Sequence, residues 1–188
     1  MRYFIKFSYD GSCFNGFQRQ PGMKTVQGVI EDALFQLSDC IVNLCASGRT
    51  DKGVHAIEQC AHFDLNLDIK EYNLKKYLNS FFDGEIYVSL LEKVSDSFHA
   101  RYDVKKKVYS YYINMGEFSP IFRNYVYQLC VNLDVDKIKE ASMYLLGVHD
   151  FRSFCTDEKN KDNCVRTIYS IDFDVSHGVL KITFCGDG

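Results

Sequence analysis

The chain has 188 residues, 46% hydrophobic and 25% charged, with a formal net charge of -3. That balance excludes intrinsic disorder, and two prolines and twelve glycines exclude a collagen-like or linker-rich chain. A chain of this length buries roughly two-thirds of its unfolded surface, so it needs no disulfide or metal staple. No apolar run approaches the ~18–20 residues of a membrane span, and Lys6, Asp10 and Asn15 interrupt what would be a signal-peptide core. A cytoplasmic protein without a membrane partner is expected.

In chain order, residues 2–9 read as a strand, and residues 10–24 as a turn-rich loop carrying Gly11, Gly16, Pro21 and Gly22. Thr25 is a candidate N-cap for a helix to about Ser38. Val26, Val29, Ile30, Ala33, Leu34 and Leu37 recur at helical spacing and form one apolar face. A strand over 40–46 enters the loop 47–54, and a strand over 55–64 leaves it. A helix over 71–82 and strands over 86–94 and 106–114 follow, the last rich in tyrosine and β-branched residues. A helix over 134–146 precedes two strands, 166–175 and 179–184, meeting at a turn around His177-Gly178. More strands than helices, with helices spaced to cover one sheet face, predict an α+β fold with a mainly antiparallel sheet.

Eight cysteines do not make a disulfide framework in a chain of this size, and no Cys-x-x-Cys pair suggests zinc. Cys40, Cys45, Cys60, Cys130 and Cys185 lie in apolar surroundings and are expected as small buried hydrophobes. His55 and His62, seven apart on a strand, should face opposite ways and not share a metal. The acidic balance argues against a nucleic-acid partner, but it hides local asymmetry. Residues 99–125 hold five cations (Arg101, Lys105, Lys106, Lys107, Arg123) against two anions, while residues 131–163 hold five against seven.

The densest polar constellation is Gly48-Arg49-Thr50-Asp51-Lys52-Gly53-Val54-His55, set between two apolar strands. Its glycines permit a sharp bend, and Arg49 and Lys52 flank the Asp51 carboxylate with positive charge, which favours its ionised form. Such a carboxylate suits a nucleophile, a base or a metal ligand. The same composition also suits a tight turn in which Asp51 caps backbone amides. Tyr109 and Tyr111 share a strand face beside the lysine cluster, as a stacking platform for bases or as core packing. His149-Asp150-Phe151-Arg152-Ser153-Phe154 reads as a capped turn that buries Phe151 and Phe154.

These segments together resemble the tRNA pseudouridine synthase A family. Tyr9-Asp10-Gly11, Phe14-Asn15-Gly16-Phe17-Gln18-Arg19-Gln20 and Thr25-Val26-Gln27 are similar to its N-terminal signature, and Gly48 to Ala56 to its catalytic loop. Phe98-His99-Ala100-Arg101, Lys107-Val108-Tyr109-Ser110-Tyr111, His149-Asp150-Phe151 and Cys164-Val165-Arg166-Thr167-Ile168 follow in the family's order. The resemblance implies two similar halves, 1–104 with the catalytic loop and 105–188, forming an extended, mainly antiparallel sheet flanked by helices around a central cleft. It implies a homodimer that needs no cofactor and no metal, and that isomerises uridine to pseudouridine at positions 38–40 of the tRNA anticodon stem-loop. Asp51 would be the catalytic aspartate, Arg49 would contact it and help hold a flipped-out nucleotide, and Tyr109 would stack on the uracil. Gln18, Arg19, Lys52, Arg101 and Lys107 would contact the RNA. The resemblance also implies a further helix after the last strand, so the half over 105–188 is expected to be incomplete at its end. A non-catalytic RNA-binding remnant, or a synthase acting on other RNA uridines, are the alternative readings.

Overall fold

A computed structural model describes residues 1–155 and 164–188. The chain divides into two compact units, Met1–Val104 and Lys105–Gly188. Both mix helices with largely antiparallel sheets, an α+β architecture.

The first unit is built on strand β1 (Arg2–Tyr9), which pairs antiparallel with β3 (Ala56–Asp64) on one side and β4 (Ile86–Val94) on the other. A short strand, β2 (Cys45–Ala46), completes the sheet in the order β2-β3-β1-β4. Strand alternation sends Tyr3, Ile5, Phe7 and Tyr9 to one face of β1, all buried. Helix α1 (Val26–Ser38) starts where Thr25 Oγ1 accepts the Gly28 N–H (3.2 Å) and ends at Asp39, whose φ of 52° stops the helix. Its predicted apolar stripe buries Val26, Ile30, Ala33 and Leu34, while Val29 and Leu37 pack at the edge of the core. Helix α2 (Glu71–Phe81) adds Leu74 and Leu78 to the same core, alongside Phe63, Leu65, Ile86 and Val88.

The strand predicted over 40–46 shrinks to Cys45–Ala46. The Leu44 N–H is taken by the Glu31 carboxylate (3.0 Å) instead of a neighbouring strand. Glu31, nearly buried, is satisfied there by Arg19 Nε and Gln27 Nε2, each at 2.8 Å. A buried acid is tolerable only with such donors, and here they come at the expense of ladder pairing.

The second unit carries the sheet order β6-β5-β9-β8-β7, from β5 (Lys107–Asn114), β6 (Tyr127–Gln128), β7 (Gly147–Asp150), β8 (Val165–Ser176) and β9 (Val179–Gly186). Among the described residues only the β5–β6 pair is parallel. The predicted β8–β9 turn is real: His177 and Gly178 take φ of 49° and 77°, the left-handed pair that a tight two-residue hairpin requires. Helix α3 (Val135–Ser142) is capped by Asp134, which accepts the Lys137 N–H (3.1 Å), but it buries none of its residues. Among the unit's described residues only Asn114, Cys164 and Leu180 are buried.

The burial expected of five cysteines and of Phe154 is therefore corrected. Cys40 and Cys130 are exposed, and Cys45, Cys60 and Cys185 only half-buried. Cys40 follows the left-handed helix stop and Cys130 itself sits at a positive φ of 57°, so both lie at bends rather than inside strands. Phe154 is 73% exposed: Asp150 Oδ1 caps the Arg152 N–H (2.9 Å) as a turn should, but that turn points Phe154 outward.

Candidate active site

The β2–β3 connection, residues 47–55, carries Asp51, and its bend is fastened on both sides of that carboxylate. At the entry, Gln59 Nε2 donates to the Gly48 carbonyl (3.2 Å) while Gln59 Oε1 accepts from Ser47 Oγ (2.9 Å). In the middle, the Phe17 N–H donates to the Thr50 carbonyl (3.0 Å), and the Tyr9 and Thr50 hydroxyls share a hydrogen bond (2.8 Å). Past the bend, the Val54 N–H returns to the Asp51 carbonyl (3.2 Å), with Gly53 at a φ of 82°. At the exit, His55 Nδ1 accepts the Gly11 N–H (3.1 Å) and lies 3.1 Å from Asp10 Oδ1.

The glycines of the loop over 10–24 are there because backbone packs on backbone. A Cβ on Gly11 would fall 2.1 Å from the Val54 carbonyl oxygen, and Gly16, at a φ of 89°, faces the Thr50 carbonyl and the Lys52 amide. Between the two loops lies a depression of about 520 Å³ lined by Asn15, Gly16, Phe17, Gln18, Gln20, Met23, Arg49, Thr50, Asp51 and Lys52. Asp51 is exposed on its wall. Arg49 Nη1 donates to Gln18 Oε1 (2.8 Å), which spans the two loops and aims the guanidinium. An acid, two flanking cations and side-chain amides thus line an open, polar hollow of a size that suits a small ligand.

Of the residues singled out in the sequence, Asp51, Arg49, Lys52 and Gln18 come together here. Arg19 does not: its guanidinium is spent on Glu31 (2.8 Å), Asp32 and the Gly28 carbonyl (3.0 Å), a clamp between the loop and α1. Those carboxylates, Asp32 first, raise its pKa. Arg101 is exposed in the turn after Phe98. Tyr109 and Lys107 stand on β5 of the second unit. Tyr109 is 39% exposed, and burial with the neighbouring Tyr111 raises its phenol pKa. Neither Tyr9 nor Gln59 is marked out by local pattern, although Tyr9 opens one of the quoted motifs; their contacts join residues 41 and 11 apart, which no local pattern encodes.

A second cluster was not foreseen. Cys45, His62 and His99 bring possible metal-ligand atoms within 4.8 Å of one another. The hydrogen bonds argue against coordination: His62 Nδ1 accepts the Ala100 N–H (3.1 Å) and His99 Nδ1 the Arg101 N–H (3.3 Å). Neutral rings so held carry their protons on Nε2, the atoms that a metal would need bare. The cluster instead ties the 98–103 turn to β3, with His99 Nε2 3.7 Å from Cys45 Sγ. Burial, then Arg2 and His99, lower the His62 pKa.

The family model described as "tRNA pseudouridine synthase" matches residues 6–103 and 141–188. The chain belongs to the tRNA pseudouridine synthase family. Proteins named tRNA pseudouridine synthase A from Bacillus licheniformis and Listeria monocytogenes are 40% and 43% identical over 191 and 190 aligned residues, covering 100% of this chain and 77% of each relative. One from Oceanobacillus iheyensis is 42% identical over 184 residues, 96% of this chain and 73% of the relative. Family membership makes the chain an enzyme of the isomerase type, and the matched segment 6–103, which holds Asp51, lies within the first unit. Among the described residues no helix is long and apolar enough to cross a membrane.

Proposed function

We propose that the protein converts uridine to pseudouridine in tRNA, at positions 38–40 of the anticodon stem-loop, with Asp51 as the nucleophile. The observation that carries this reading is the exposed Asp51 carboxylate on the wall of a polar hollow, held by a bend whose backbone is fastened on both sides. The reaction breaks the N1–C1′ bond, turns the uracil and forms a C5–C1′ bond; the C5 proton leaves to water and N1 gains one. No electrons are exchanged with a carrier, so a positioned carboxylate suffices, attacking either the sugar or the pyrimidine ring.

A stacked nucleotide offers neither atom, so the target uridine must leave the helix at a cost of a few kcal/mol. Stacking on an aromatic ring returns about 1–3 kcal/mol, the role assigned to Tyr109. Arg49, aimed by Gln18, holds the extruded nucleotide beside Asp51. Lys52, Arg101 and Lys107 meet phosphates, and Arg19 stiffens the RNA-facing loop from behind. The active form is a homodimer in the cytoplasm; the many exposed apolar side chains of the second unit, Tyr144 at 81% and Ile121 at 79% among them, support association.

The test is position-resolved. Unmodified tRNA incubated with the protein and then treated with a carbodiimide that stays on pseudouridine should stop reverse transcription at positions 38–40. Stops elsewhere would assign a different uridine, and RNA binding without any stop would make the chain a non-catalytic module.

A further inference from the structure

Cys155 and Cys164 are far from the loops that hold Asp51 in sequence and belong to a different structural problem, the edge of the second sheet. The antiparallel β7–β8 pair runs from Gly147 opposite Ile168 to Asp150 opposite Val165. One further backbone bond, from the Phe151 N–H to the Cys164 carbonyl (3.0 Å), extends that pairing past the strand ends. The chain then turns through Arg152–Phe154, closed by the Phe154 N–H to the Phe151 carbonyl (2.9 Å) and the Cys155 N–H to the Arg152 carbonyl (3.1 Å). That turn delivers Cys155 back over Phe151, with its thiol 3.7 Å from the Phe151 carbonyl and 3.5 Å from Cys164 Sγ.

We propose that Cys155 and Cys164 form an oxidisable dithiol that takes up a peroxide and closes to an intramolecular disulfide. Disulfide sulfurs lie about 2.04 Å apart, so an approach of about 1.5 Å closes the bond, a movement within the reach of side-chain rotation at a turn. The two sulfurs are unequally placed. Cys155 is exposed and Cys164 buried. The hydrogen bond with Cys155 and then burial hold the Cys164 thiol above its ordinary pKa. Cys155 is therefore the attacking sulfur and Cys164 the resolving one.

In the first step the Cys155 thiolate attacks the peroxide, the O–O bond breaks, and sulfenic acid forms on Cys155 while the alcohol or water leaves with the second oxygen. In the second, the Cys164 sulfur displaces that hydroxyl, a disulfide forms and water departs. Two thiols lose two electrons and two protons, and the peroxide is reduced by two electrons. A reducing thiol reverses the change. The disulfide would lock the 151–155 turn onto the start of β8, whatever the reading of Asp51.

The full-length protein, dilute and with hydrogen peroxide as the probe, provides the test. After oxidation and alkylation, non-reducing peptide mass spectrometry should find the Cys155 and Cys164 peptides joined and lighter by two hydrogens, and dithiothreitol should separate them. In Cys164→Ser, the sulfenic acid on Cys155 should be trapped by dimedone at least tenfold more than in the unaltered chain. Joining of either cysteine mainly to a different partner would overturn the proposal. So would a Cys155 that stays a thiol, or equal dimedone trapping with and without Cys164.

Discussion

At the scale of single residues, the site is a carboxylate whose neighbours are fastened so that it need not move. Tyr9→Phe deletes one hydroxyl and keeps the buried ring, so it breaks the hydrogen bond to the Thr50 hydroxyl. The expected loss is about 1 kcal/mol of net hydrogen bonding, read as a melting temperature lower by a few degrees and a several-fold fall in kcat, with tRNA affinity little changed. Gly11→Ala is harsher, because its new Cβ would meet the Val54 carbonyl oxygen at 2.1 Å, and backbone cannot step aside cheaply. Stability should drop by about 1–3 kcal/mol, measured by urea unfolding, and turnover should fall with the displaced bend. Gln18→Ala removes the acceptor that aims Arg49, and should raise KM more than it lowers kcat.

At the scale of elements, what the sequence made legible is what short-range physics decides. The apolar stripe from Val26 to Leu37 with Thr25 before it predicts α1, because helix spacing and an N-cap are both local signals. Thr25→Ala should cost about 1 kcal/mol of stability by chemical denaturation, since the Gly28 N–H then lacks its acceptor. The strand over 2–9 was equally plain and forms as β1. The strand over 40–46 was not, because Glu31, thirteen residues earlier, claims the Leu44 amide. β6 and β7, of two and four residues, were too short for any periodicity to register. In the site, Asp51, Arg49, Lys52 and Gln18 were readable as motifs. The Tyr9–Thr50 and Gln59–Gly48 contacts that hold them, and the Cys45–His62–His99 grouping, depend on strand register between distant segments.

At the scale of the whole molecule, two conditions of the solution report on the account. His62 is buried and its pKa is lowered below the ordinary 6.5. The unfolded chain then binds more protons than the folded one just below that value, so stability holds above pH 6.5 and is lost as the pH falls through the folded-state pKa. Protonation would also set an Nδ1–H against the Ala100 N–H. Thermal melts should show this acid decline, and His62→Gln should flatten it below pH 6.5. Asp64, whose pKa Arg2 lowers by hydrogen bonding, adds a decline of the same sign only below its ordinary 3.8. The second condition is salt. An acidic protein that grips RNA through a few local cations should lose about tenfold or more in tRNA affinity between 50 and 200 mM monovalent salt, measured by filter binding; a flat dependence would contradict phosphate contacts by Lys52, Arg101 and Lys107.

All three scales converge on the oxygen of one side chain, and its chemistry leaves a direct trace because the C5 hydrogen of the target uracil must depart. Unmodified tRNA carrying tritium at uracil C5 should release label to water in the presence of the protein. Asp51→Asn, which keeps the shape and removes the charge, should cut that release by about 10³-fold or more, about 4 kcal/mol of barrier, while still binding the tRNA. Undiminished release by Asp51→Asn would contradict the account at its centre.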